Sequence, residues 1–213
     1  MAIRTAEALF NFPRLYRLKF AVTGAVVAIT KPLLFRNHIT FREILAKRIA
    51  PGERVCEVGC GDGENYCYLL SDVGRIDFTG ADLNPNMIAH CRERYPEAQW
   101  ICSNLAEIMA AQSFDTCIIS NLLHHLNARR DITTLLQTAS RLARRILLFE
   151  PLQSDSPLVY ALKRFYFAAT DGGNIYLRLE EFHQLFDEVG VYVDWEWASE
   201  PFHHFYSCQI SRH

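Results

Sequence analysis

Three glycines at alternate positions, Gly59, Gly61 and Gly63, follow directly on the run Val55-Cys56-Glu57-Val58. That short, mostly apolar run reads as a buried parallel strand. A turn with glycine at every second position lets the backbone come very close to a ligand, because no Cβ stands in the way. The apolar-periodic stretch Tyr66-Cys67-Tyr68-Leu69-Leu70 comes next and reads as a helix. Strand, glycine turn and helix in that order make the first crossover of a doubly wound sheet, where ligands sit at the carboxyl ends of the strands. The spacing is G-x-G-x-G rather than G-x-G-x-x-G, and the carboxylates of Glu57 and Asp62 flank it. Such a turn repels a pyrophosphate but suits a ligand with a cationic centre and hydroxyl groups. The plainer alternative is a tight turn between strand and helix with no ligand.

Residues 57–63 resemble motif I of the class I S-adenosylmethionine (SAM) dependent methyltransferases, E/D-x-G-x-G-x-G. The later motifs extend the resemblance over about residues 40–211. Ile76 to Asp82 reads as a second strand that ends on an acid, and Asn84-Pro85 then starts a helix carrying Met87, Ile88 and Cys91 inward. A carboxylate at this strand tip can accept from both ribose hydroxyls of a nucleoside, in SAM and NAD enzymes alike. Gln99 to Cys102 reads as a third strand. In the family an acid soon afterwards contacts the adenine amino group; this chain has Asn104 there, whose carbonyl can do the same. The resemblance therefore implies SAM as cofactor, bound by Glu57, Gly59, Cys60, Gly61, Gly63, Asp82, Leu83, Asn104, Leu105 and Asn121.

A fourth strand, Thr116 to Ser120, opens into Asn121-Leu122-Leu123-His124-His125-Leu126. This resembles motif IV of small-molecule methyltransferases, where residues just past the strand face the sulfonium and the acceptor. Asn121 is the candidate polar group beside the reacting centre. His124 and His125 stand either as general bases or as braces of the loop. Ile132, Leu135, Leu136, Ala139 and Leu142 repeat at helical spacing, and Ile146 to Phe149 makes a fifth strand ending at Glu150-Pro151. Residues 152–178, rich in aromatics, then read as a helix from Ser156-Pro157 and a turn at Asp171 to Asn174. In the family this insert shapes the acceptor pocket. Its Tyr176 is the ring expected to face the pocket and meet a sulfonium through cation–π attraction. The insert also resembles that of the azetidine-2-carboxylate synthases, which keep the methyltransferase fold but cyclise SAM and release methylthioadenosine. That resemblance implies the same residues, Asn121 and Tyr176, around the reacting amine and sulfonium. Glu180 to Val189 reads as a helix stopped by Gly190. Val191 to Trp197 and Phe205 to Ser211 complete an antiparallel finish.

The expected architecture is a single α/β domain over residues 40–213, with a doubly wound, mostly parallel, seven-stranded sheet of the Rossmann-like class I methyltransferase type. Residues 1–39 precede it. There Leu15, Leu18, Val22, Ala25, Val26 and Ile29 recur at helical spacing, with Arg14, Arg17 and Lys19 largely off that stripe. This amphipathic helix is expected as a lid over the cofactor, with a dimer contact or a membrane-surface element as alternatives. Residues 1–48 hold nine Lys/Arg against Glu7 and Glu43, or +7, within a chain of net charge −2. Without a strong basic excess, nucleic acid is not expected as the main partner, and a small-molecule substrate is expected instead. The basic N-terminal stretch points to an anionic substrate or an acidic lipid surface, or else is a solvated helix face that pairs with the acidic body. The seven cysteines are scattered, without a C-x-x-C pair, so no metal and a reducing, cytoplasmic setting are expected. Cys60 is either reactive or a packing residue. The apolar run Phe20 to Thr30, between Lys19 and Lys31, falls short of the roughly 20 residues that span a bilayer. A monomer or homodimer is expected.

Overall fold

The computed structural model describes residues 41–103, 114–153, 157, 160–161, 173, 175–199 and 203–210. The expected N-terminal helix, Asn104, Leu105 and most of the aromatic insert after β5 lie outside the described residues. The described elements are α1 (Phe41–Arg48), β1 (Arg54–Val58), α2 (Glu64–Asp72), β2 (Asp77–Asp82), α3 (Pro85–Arg94), β3 (Gln99–Cys102), β4 (Phe114–Ser120), a short 3₁₀ turn (Leu123–His125), α4 (Arg129–Leu142), β5 (Ala143–Pro151), α5 (Leu179–Val189), β6 (Val191–Ser199) and β7 (His203–Ile210).

The strands form one sheet in the order β3-β2-β1-β4-β5-β7-β6. The first five pair in parallel, and β7 is antiparallel to both β5 and β6. Alternation along the central strands sorts their side chains to two faces. Cys117 and Ile119 of β4, with Ile146 and Leu148 of β5, pack with α4 and α5. Ile118 and Leu147 between them point the other way, into a core with α1, α2 and α3. Both faces are thus covered, which is why these strands read as continuous apolar runs. Observed β5 is longer than its apolar stretch, because its first turns carry Arg144 and Arg145. Arg145 there donates to Glu53 and Thr116 at 2.7 Å each, closing the end of the sheet away from the glycine turn.

Local signals account for the helix ends. Asn84 accepts from the Asn86 N–H at 3.0 Å with Pro85 in the first helical turn, and Gly190 ends α5 in a left-handed conformation. α1 is held at both ends. Phe41 stacks on Phe149 of β5 with centroids 4.6 Å apart, and Arg48 lies 4.4 Å over the Trp195 ring of β6. Trp100 of β3 supports the sheet under the glycine turn. It meets Tyr66, Phe78 and Tyr95 in an aromatic cluster, and its indole N–H donates to the Tyr95 carbonyl at 2.8 Å.

A methyl group at Gly80 would sit 2.4 Å from this indole ring. Gly80→Ala should therefore cost about 1–3 kcal/mol by overpacking. Urea unfolding should show a lower midpoint with an unchanged slope.

Candidate active site

Parallel pairing of β1 with both β2 and β4 brings three strand tips side by side. Val58 pairs with Ala81 on one flank and with Ile119 on the other. Gly59, Asp82 and Asn121 consequently sit at the same end of the sheet, where strand order reverses direction between β1 and β4.

Gly59, Gly61 and Gly63 all adopt positive φ, at 72°, 53° and 77°. Side chains rarely tolerate this region, so glycine is required here for conformation as well as for space. A Cβ on Gly59 would also lie 2.8 Å from Leu122, which packs over the turn from the loop after β4. The turn is held to β2. The Gly59 and Cys60 N–H groups donate to the Ala81 carbonyl at 2.8 and 3.0 Å, and the Gly61 N–H donates to Asp82 Oδ2 at 3.0 Å. The other oxygen of Asp82 accepts from the Asn84 N–H at 2.8 Å. Each carboxylate oxygen keeps a further lone pair for a ligand hydroxyl. Leu83, next to it, is 74% exposed, the most exposed large apolar side chain among the described residues.

Glu57 is buried under the turn. Its Oε1 accepts from the Asn65 amide at 2.5 Å, and its Oε2 has no partner. Burial pushes its pKa up to about 8, and the nearby acids Asp62, Asp82 and Glu64 push the same way against the Asn65 hydrogen bond. Cys60 faces away from the ligand side and packs between Gly80 and Cys91 in the α1–α3 core. A hydrogen bond to Cys91, together with burial, holds its thiol pKa well above the usual value, so it serves packing.

On the other flank, Asn121 is the only non-glycine residue with positive φ among the described residues, at 50°. Asparagine tolerates this conformation better than most residues. Its N–H donates to the Phe149 carbonyl at 2.8 Å, and its side chain is exposed. The chain that follows is organised by Glu150. One oxygen accepts from the Leu122 and Leu123 N–H groups at 2.6 and 2.8 Å, and the other lies 2.7 Å from His124 Nδ1. Both side chains of that pair are buried. An ionised carboxylate only accepts, so it keeps a proton on Nδ1 and fixes the ring orientation. His124 also stacks against Tyr176 and meets His125 in a tilted pair, and its carbonyl accepts from the Ile175 N–H at 3.1 Å. Gly173 lies close against both His124 and Tyr176.

The structure thus joins Gly59, Gly61 and Asp82 in one hydrogen-bonded unit, and His124 and Tyr176 in another, with Leu122 and Asn121 between. Sequence reasoning missed Glu150 as a functional group. The available signal was an acid one residue before the end of β5, comparable with Asp82 at the end of β2.

Residues 55–145 match the family model described as a methyltransferase domain. They form a methyltransferase domain. It is of the class I, SAM-dependent type, and SAM is its cofactor. The chain is 37% identical over 93 residues to a probable S-adenosylmethionine-dependent methyltransferase of Mycolicibacterium smegmatis, covering 43% of this chain and 35% of that one. It is 35% identical over 94 residues to the tRNA (carboxymethyluridine(34)-5-O)-methyltransferase alkbh8 of Xenopus tropicalis, covering 44% and 14%. The matched stretch spans well under half the length of these curated relatives. Among solved structures, the magnesium protoporphyrin IX methyltransferase of Synechocystis PCC 6803, with bound SAH, superposes with a TM-score of 0.60 at 15% identity, over 93% of this chain and 99% of that one. At that identity the likeness is one of fold.

The site thus has two clamps, Asp82 on the glycine turn and Glu150 on the loop after β4, and the second is easily tested. Glu150→Ala should leave two backbone N–H groups and a buried imidazole without their acceptor, at a cost of about 3 kcal/mol or more in chemical denaturation. Glu150→Gln should cost less than half of that, because its carbonyl still accepts while its amide donates to Nδ1. In ¹⁵N NMR the His124 proton should then move to Nε2.

Proposed function

We propose that this protein transfers a methyl group from SAM to a small-molecule acceptor. The observation that carries the reading is the positive-φ glycine turn with the Asp82 carboxylate hydrogen-bonded to its middle N–H. Bound there, SAM would supply an electrophilic methyl group on a sulfonium. Asp82 would accept from the ribose hydroxyls, and Leu83 beside it would help hold the nucleoside. Asn104 and Leu105, outside the described residues, would serve the adenine. Asn121 presents its amide next to the reacting centre, and Tyr176 bounds the acceptor side with an aromatic ring. His124, oriented by Glu150, braces the loop that carries Asn121 and is a candidate base where the acceptor must lose a proton. Catalysis then consists mainly of orientation and exclusion of water.

A small-molecule acceptor is supported by the acidic body and by the magnesium protoporphyrin methyltransferase among the structural neighbours. The tRNA-modifying relative points the other way, but this chain covers only 14% of it. Residues 1–39, outside the described residues, would serve as the lid. α1 begins at the site's own end of the sheet, because its Phe41 stacks on Phe149, and the carbonyl of Phe149 receives the Asn121 N–H. No described helix is long and apolar enough to cross a membrane.

Isothermal titration with SAM and S-adenosylhomocysteine tests the cofactor reading; absence of binding by either would sink it. Mass spectrometry of products tests the reaction. S-adenosylhomocysteine formed only when an acceptor is added supports transfer. Methylthioadenosine formed from SAM alone, above the spontaneous rate, would replace transfer by cyclisation to azetidine-2-carboxylate.

Asp82→Ala should weaken SAM binding at least tenfold, since each charge-assisted ribose bond is worth about 1.5–3 kcal/mol. Asp82→Asn should lose less, and an unchanged dissociation constant in both would remove Asp82 from the ribose site. In turnover, Tyr176→Phe should keep much of the wild-type rate, whereas Tyr176→Ala and Asn121→Ala should each lose most of it. Equal rates in all of these would leave both residues without a role.

A further inference from the structure

Glu57 stands apart from the other acids of the site. Asp82 has a backbone N–H on each oxygen, whereas Glu57 has one amide on Oε1 and nothing on Oε2. Its side chain is 98% withdrawn from solvent. Among the described residues, the charged and titratable groups that act on it carry no positive charge. Asp62 faces it from the turn, Glu64 from α2 and Asp82 from the tip of β2. The Cys60 thiol lies on the turn side, and the Cys117 thiol on β4. Its neighbours in strand register, Gly80 and Ile118, bring no donor side chain. An ionised carboxylate in such a place is unpaired, dry and repelled by three others, so the empty site holds it as the neutral acid.

We propose that binding of SAM drives a proton off Glu57, which then serves as counter-ion to the cofactor's positive charge. The inference rests on the reading that the glycine turn binds SAM. Direct contact is not required. In a water-poor pocket a positive charge a few ångströms away stabilises the carboxylate strongly, whereas in bulk water it would do little. The bond that breaks is the O–H of Glu57, and the proton leaves to solvent. The same device biases the site against anions. A neutral acid flanked by Asp62 and Asp82 offers nothing to a pyrophosphate, whereas a cation creates its own partner by ionising it.

The linkage has a definite sign. A proton is released on binding only where Glu57 is protonated in the empty site, below about pH 8. Affinity should therefore rise with pH, by up to about tenfold per unit, and level off above pH 8. Isothermal titration of SAM at pH 7, in phosphate and in Tris, counts the protons exchanged, because the two buffers differ in ionisation enthalpy. Wild type should release close to one proton more than Glu57→Gln. The comparison also removes any proton that comes from the ligand's own amine. The variant is isosteric, and its melting temperature at pH 9 should match or exceed that of wild type, since the buried acid destabilises the fold when ionised. Equal proton release in the two proteins, or a wild-type affinity that does not change between pH 6.5 and 8, would overturn the inference and leave SAM binding intact. Failure of SAM to bind either protein would instead remove the functional reading on which it rests.

Discussion

A glycine turn cannot hold its own shape. Gly59, Gly61 and Gly63 have no side chains with which to resist the many conformations open to them, and all three adopt positive φ. The shape is imposed by β2. The Ala81 carbonyl takes two N–H groups of the turn and the Asp82 carboxylate a third. The rest of the site depends on this fixation, because α2 starts at Gly63 and Leu122 packs onto Gly59. Asp82 is therefore a structural clamp. The ligand-binding role proposed for it is compatible with that, because a carboxylate accepts more hydrogen bonds than the two backbone donors occupy.

The same solution appears on the other side of β1. Glu150 lies one residue before the end of β5, comparable with Asp82 at the end of β2, and it gathers the N–H groups of a neighbouring loop that would otherwise stay unsatisfied. Two carboxylates, each at a strand tip, thus shape the two loops that border the pocket. They differ in depth. Asp82 is half-buried and keeps lone pairs for a ligand, whereas Glu150 is fully enclosed and shares its second oxygen with His124. Enclosure suits a positioning role, and partial exposure suits a binding role.

Much of this was legible in the sequence, and the limits were physical. The glycine spacing, the acid ending β2 and Asn84-Pro85 act over a few residues, so pattern alone located them. The alternation of β4 and β5 between two cores also follows from period-two chemistry. Glu150 was visible as a residue but not as a clamp, because its partners lie 26–28 positions away and depend on the β4–β5 register. The inward direction of Cys60 was equally hidden. It depends on Gly80 and Cys91 meeting it from two other elements, and no local rule states that. Trp100 read simply as a strand residue. Its place under the turn makes Gly63 and Gly80 obligatory for packing, and Gly63 is required for backbone conformation as well.

Why the chain keeps three acids around a site that also holds a buried one is an electrostatic question. Asp62, Glu64 and Asp82 raise the cost of ionising Glu57. Taken alone, that arrangement destabilises the fold at neutral and alkaline pH, and a glutamine would fill the same volume without the penalty. The cost acquires a purpose once a cation arrives, since the acids that oppose ionisation of Glu57 all attract that cation. Repulsion among fixed like charges in the empty pocket is relieved by one mobile opposite charge, and the relief adds to its affinity. On the proposed reading a hydrogen-bonded acid such as Asp82 recognises the shape of a ligand through its hydroxyls, and a desolvated acid such as Glu57 recognises charge. Together they would describe a ligand that is hydroxylated at one end and positive at the other.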